Sequence, residues 1–125
     1  MKQLFLLLTL LITNCLHAQK IDKQDFYRTW YLDKYSDAEE YYLPPKKEIG
    51  DYITLRKDMT YEAQSEGVLD SGTWMLNTNG SYLELKGSSQ ETQKLYVYFV
   101  SPKSLVVIYD VDEYRIWEVH YVSSK

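Results

Sequence analysis

The stretch Ser71-Gly72-Thr73-Trp74-Met75-Leu76-Asn77-Thr78-Asn79-Gly80-Ser81-Tyr82-Leu83-Glu84-Leu85 decides the fold. Apolar and polar residues alternate on both sides of Asn79-Gly80, a dipeptide that signals a type I′ hairpin. Centring the turn there pairs Leu76 with Leu83 and Trp74 with Leu85. A one-residue slip would send these four side chains to opposite faces, so the pattern fixes the register.

The same reasoning extends outward. A hairpin centred on Pro102-Lys103 puts Leu95, Val97, Phe99, Val106 and Ile108 on one face. A last hairpin centred on Val111-Asp112 adds Arg115, Trp117 and Val119 to it. A three-residue turn at Lys57-Asp58-Met59 aligns Ile53 and Leu55 with Tyr61 and Ala63. A loop at Gly67–Asp70 then aligns Ala63 with Trp74. Eight strands result, at about 28–35, 51–56, 60–66, 71–76, 81–87, 93–100, 104–110 and 113–122, after a short helical turn within 20–26. Thirteen Tyr and three Trp against three Phe suit pleated surfaces, and the apolar period is two rather than 3.6. The connections at 57–59, 79–80 and 102–103 are short and share one end. Those at 36–50, 67–70, 88–92 and 110–113 are longer and share the other. The expectation is an all-β domain, a single eight-stranded antiparallel up-and-down barrel whose closure removes exposed strand edges.

The N-terminus reads differently. Lys2 precedes an apolar run from Leu4 to Ile12, and Leu16-His17-Ala18 follows a polar break at Thr13 and Asn14. That is the layout of a secretory signal peptide over 1–18, too short to span a bilayer, leaving 19–125 as the domain. The expected location is outside the cytoplasm, periplasmic or secreted. Cys15 carries an alternative: Leu11-Ile12-Thr13-Asn14-Cys15 loosely fits a lipoprotein signal, which would anchor the chain to the envelope. Cleavage after Ala18 removes the one cysteine and leaves His120 as the one histidine. The formal charge of −4 becomes about −5 as Lys2 leaves. An acidic surface argues against nucleic acid, and one histidine without cysteine excludes the usual zinc sites. No metal, no cofactor and no catalytic machinery are expected. A Ser-His-Asp arrangement would need His120, which the parity places outside, and Asp110, Asp112 and Glu113 read as turn residues.

At this point the chain resembles the small bacterial lipocalin-like domains. The residues that carry the resemblance are Arg28-Thr29-Trp30, Leu55-Arg56-Lys57-Asp58-Met59-Thr60-Tyr61, Ser71-Gly72-Thr73-Trp74 and the alternation around Leu105–Tyr109. The resemblance implies an exported barrel with no agreed activity, and apolar-ligand binding by analogy. The family's usual glycines are replaced by Arg28 and Met59, so either Met59 adopts a left-handed backbone or its turn differs. Lipocalins also lay a late-strand Arg over the first-strand Trp. Arg115 is at the wrong end for Trp30, and Tyr121 or Lys125 is nearer.

Three groups of side chains are candidates for function. Arg115 points inward near the loopy end, where it would suit a carboxylate, unless it pairs with Asp110 or Glu113 at the rim. Trp74 and Trp117 face each other across the barrel, with small Ala63 and Ser65 nearby and Leu95 and Ile108 completing a ligand pocket; ordinary packing is the alternative. Tyr41, Tyr42 and Leu43 in the 36–50 connection form a lid. On the outer face, Tyr96, Tyr109 and Tyr114 align, with Tyr98, Val107 and Ile116 in the next row, and such patches mark interfaces. Either residues 20–28 cover this patch or a partner does. The expected function is binding of a small apolar or amphipathic acid in the barrel. The alternative is a non-catalytic interaction module, a homodimer or a partner of an envelope protein.

Overall fold

The structure, a computed structural model, describes residues 20–113, 115 and 117–124. Among them the strands are β1 (Arg28–Ser36), β2 (Tyr41–Tyr42), β3 (Tyr52–Leu55), β4 (Thr60–Ser65), β5 (Val68–Asn77), β6 (Tyr82–Lys86), β7 (Thr92–Val100), β8 (Ser104–Tyr109) and β9 (Glu118–Val122). From β3 to β9 each strand pairs antiparallel with the next, and β1 pairs with both β3 and β9. The two-residue β2 is a flap on the end of β1, through Tyr35–Tyr42 and Ser36–Tyr41. Eight strands thus close an antiparallel barrel, the architecture the turn spacing implies. The 36–50 connection is more ordered than expected, with β2 and a 3₁₀ turn at Lys46–Glu48.

Register follows the turns. Ile53 faces Ala63 and Leu55 faces Tyr61, while Trp74 faces Leu85 and Leu76 faces Leu83. Met59 does take the left-handed region at φ 69°, its N–H donating to the Arg56 carbonyl at 3.0 Å. The turn after β6's partner strand is not type I′: Ser81 takes the positive φ of 53°, and Gly80 is not among the positive-φ residues. Its symmetric centre preserves the pairing anyway. Between β4 and β5 the expected loop contracts to a two-residue turn. Glu66 (φ 53°) and Gly67 (φ 81°) supply the two positive angles of a type I′ hairpin. Ala63 therefore faces Asp70 rather than Trp74, an even slip that keeps Trp74 inside.

The expected register fails in β7 to β9. A bulge at Tyr98 separates the Val97–Val107 pair from the Phe99–Val106 pair, and a bulge inserts one unpaired residue that inverts the alternation. The last connection is also wider than expected, and β9 pairs Val107 with Val119 and Val106 with His120. This odd slip from the predicted register turns Val107 (0% exposed) inward and leaves Phe99 (43%) outside.

The barrel is filled at its tight end. An Asp22-capped 3₁₀ turn, Lys23–Phe26, drives Phe26 beneath the strands, where it and Trp30 are fully buried. The Trp30 indole N–H donates to the Phe26 carbonyl at 3.2 Å. Residues 20–28 thus plug the bottom instead of covering the outer wall. Leu55, Leu83, Leu95, Val100 and Leu105 complete the floor, each fully buried side chain contributing about 2 kcal/mol.

Gly72 sets the spacing of β5 on β6. A Cβ there would lie 1.9 Å from the Lys86 carbonyl oxygen, a clash with backbone that cannot rotate away. Gly72→Ala is expected to cost about 2 kcal/mol or more, lowering Tm by roughly 10 °C for a domain of this size. Thermal circular dichroism measures it; an unchanged Tm would contradict this strand contact.

Candidate functional site

Strands that fill the tight end diverge into loops at the other, and there the barrel is hollow. A cavity of about 620 Å³ opens between β1, β3, β4 and β9. Its apolar wall is Leu32, Ile53, Ala63, Leu85 and Val119, and its mouth is edged by Tyr42, Leu43, Val68, Val111 and Trp117.

The polar side chains of the cup are mostly phenols and carboxylates, with Gln64, Ser65 and Gln93 beside them. The Tyr35 hydroxyl donates to Glu48, and the Tyr109 and Tyr121 hydroxyls share a hydrogen bond. Asp51, only 7% exposed, accepts from the Glu66 N–H with both oxygens, at 3.0 and 3.1 Å. It thereby ties the tip of the β4–β5 hairpin to the start of β3. Asp70 accepts from the Ser88 hydroxyl at 2.7 Å and more loosely from Tyr61 at 3.4 Å. The Ser88 contacts hold the Asp70 carboxyl below the usual carboxylate range, so it is charged at neutral pH. Burial is the largest cause raising three phenols. Tyr109 is pushed up to about 12, Tyr121 well above its ordinary value, and Tyr35 likewise, with Glu48 adding to burial.

A lipocalin-like protein from Bacteroides uniformis, solved by crystallography, shares this architecture: TM-score 0.58 at 16% identity, over 80% of this chain and 99% of that one. The fold is lipocalin-like. No family model matches the chain, and no curated protein does.

The lipocalin-like barrel divides the predicted ligand residues. Ala63, Ser65 and Trp117 line the cavity. Trp74 does not face Trp117; it belongs to the floor, its indole N–H donating to the Arg56 carbonyl at 3.0 Å and its ring edge-on to Tyr27 at 6.0 Å. Leu95 is core, 1% exposed, and Ile108 follows the inverted alternation of β8 to the outer wall, opposite Tyr96. Arg115 is outside the cup, its guanidinium 2.7 Å from Asp110 and 3.4 Å from Asp112. A guanidinium with two carboxylates at the wet rim has no reason to desolvate. Of the lid residues, Tyr42 and Leu43 edge the mouth, Tyr42 standing edge-on to Trp117 at 5.1 Å. Tyr41 turns away onto His120 at 5.6 Å.

The outer tyrosine patch is dispersed by the same inversion. Val107 is buried and Tyr109 is in the cavity. Tyr96 (39%) and Tyr98 (69%) remain exposed, while Tyr114 and Ile116 lie outside the described residues. Sequence reasoning missed Tyr35, Glu48, Asp51 and Asp70, and it gave Tyr109 and Tyr121 other roles. Tyr35 was hidden by the bulge in β1 between Leu32 and Lys34, which turns it inward against the period counted from Trp30.

The cation over the first-strand Trp is also present, from another position. Arg28 lies 5.3 Å from the Trp30 ring centroid and its guanidinium donates to the Pro102 carbonyl. Two residues apart on one strand, they share a face. Tyr121 is committed to the cup, and Lys125 lies outside the described residues.

Ser36, His120 and Glu118 form a cluster on the outer wall. Ser36 Oγ is 2.7 Å from His120 Nε2 and donates to Glu118 at 3.0 Å. Glu118 also approaches Nε2, at 3.8 Å, so serine and acid meet the same ring nitrogen. A relay needs the acid on the far nitrogen; here the three groups fasten β1 to β9. Burial, then Lys34, lowers the His120 pKa.

The raised phenols carry a stability prediction. Above pH 10 the unfolded chain releases tyrosine protons that the folded cup retains, so stability is complete below about pH 10 and falls above it. Alkaline titration followed by tyrosinate absorbance and circular dichroism is expected to show a late ionisation step coincident with unfolding. Tyr109→Phe, which removes one of the retained protons, is expected to flatten the fall; early, non-cooperative ionisation of every tyrosine would contradict it.

Proposed function

We propose that this chain is an exported, non-catalytic carrier that holds one small apolar or amphipathic molecule in the open end of its barrel. The cavity is the observation that supports it most. Eight strands leave an interior that side chains either fill or share with one small ligand. This barrel does both, at opposite ends. About 620 Å³ falls within the roughly 300–1,000 Å³ of small-molecule sites, and such sites combine an apolar lining with a few placed polar groups. Export is supported by the signal layout of residues 1–18. The lipocalin-like fold is compatible with the reading and does not name a ligand.

The acidic head group expected of the ligand rested on Arg115, which is engaged at the rim. Of the predicted patch, the interaction-module reading keeps Tyr96 and Tyr98 exposed among the described residues, with Phe99 beside them, and the cavity has no part in it.

Titration with the uncharged dye N-phenyl-1-naphthylamine tests the proposal. Its fluorescence is expected to rise saturably as it enters the cup, with quenching of Trp117 and none after Trp117→Phe. Ala63→Trp, which puts an indole into the cavity, is expected to abolish binding while the protein stays folded. Absence of saturable binding, or binding indifferent to Ala63→Trp, would sink the carrier reading.

A further inference from the structure

The cup has hydrogen-bond acceptors in excess and few donors. Most of its phenolic protons are committed: Tyr35 to Glu48, Tyr52 to Glu62, Tyr61 to Asp70, and one of the Tyr109–Tyr121 pair to the other. The Gln64 amide donates to the Gly50 carbonyl at 3.3 Å. An anionic head group would find only neutral donors, such as Ser65 and Gln93, and no cation among the described lining residues.

The charges point the same way. Four carboxylates line the cavity, Glu48, Asp51, Glu66 and Asp70, and among the described residues no Lys, Arg or His does. Near the mouth, Lys47 is held by Glu66 at 3.3 Å and Arg115 by Asp110. That leaves Glu48, Asp51 and Asp70 without a cationic partner among the ion pairs of the described residues. Such an array is repelled by a carboxylate and attracted to a cation, most strongly where water is excluded. Around it stand the rings of Tyr35, Tyr61, Tyr109, Tyr121 and Trp117, and aromatic faces attract a cation within about 6 Å. Because these phenols stay protonated, their rings keep the neutral form.

We infer that the cup selects a small organic cation, an amine or quaternary ammonium carried on an apolar body. The apolar body takes the wall of Ile53, Ala63, Leu85 and Val119, and the ammonium lies among Glu48, Asp70 and the tyrosine rings. This inference rests on the carrier reading and specifies the sign of charge that reading leaves open.

Three octyl compounds that differ in the head group separate the two claims by calorimetry on the mature chain: octyltrimethylammonium, octanoate and 1-octanol. The ammonium is expected to bind tightest, about tenfold or more above octanoate, with octanol between and only the ammonium weakened by added salt. Glu48→Gln and Asp70→Asn are each expected to narrow the gap between ammonium and octanoate severalfold while leaving octanol unchanged. Each lines the cavity, and neither belongs to the buried core. If octanol binds and octanoate equals or exceeds the ammonium, the charge selection is wrong and the carrier survives. If none of the three binds, the carrier reading falls and takes this inference with it.

Discussion

The seam between β1 and β9 is the constraint on which the rest of the structure depends. β1 pairs along one edge with β3 and along the other with β9, so it converts a meander into a closed wall. Closure fixes the circumference, and a fixed circumference must be filled or left hollow. At the tight end Phe26, Trp30 and Trp74 fill it, and their indole N–H groups reach the carbonyls of Phe26 and Arg56. Tryptophan suits that role because one end of its large apolar ring can satisfy a buried acceptor. At the loopy end no comparable plug enters among the described residues. The side chains there are shorter or directed at one another, and the hollow is the cavity.

The seam is reinforced where the strands leave the core. Ser36, His120 and Glu118 link β1 to β9 through side chains on the outside, and Tyr41 of the β2 flap covers the imidazole. A buried hydroxyl, a desolvated imidazole and an acid look like chemistry when read from residue types alone. Their shared contact at one nitrogen makes them a clasp. Inside, Asp51 performs a comparable task by accepting the backbone N–H of Glu66, so the hairpin tip cannot swing away from β3.

How far the sequence could be read depends on which turns were symmetric. From β3 through β6 the strand pairs follow from alternation and turn position, and even errors of turn type at Gly80 or of loop length at Gly67 left the faces correct. Two features invisible to alternation spoiled the later strands. One is the bulge at Tyr98, whose unpaired residue has no signature in residue type. The other is the wide turn after Tyr109, where an odd slip exchanged inside for outside. Val107 and Tyr109 were therefore read as an outer patch, Ile108 as a ligand contact, and the tyrosine pair of the cup went unseen. Arg115 was misplaced for a different reason: parity says which way a side chain starts, not where a flexible guanidinium finds carboxylates. Glu48, Asp51 and Glu66 were missed because they come from connecting segments, where period carries no information, and Asp70 because the sequence reading began its strand only at Ser71.

The plug beneath Trp30 has a consequence for orientation. The chain enters the barrel at Asp22 and Phe26, on the side opposite the mouth. The first described residues therefore lie at the underside of the barrel, and the opening points the other way. Held against a surface by its packed base, this vessel would present its mouth to the surrounding fluid. Such a posture suits capture from solution, because a molecule arriving by diffusion meets the cup before it meets the surface behind it.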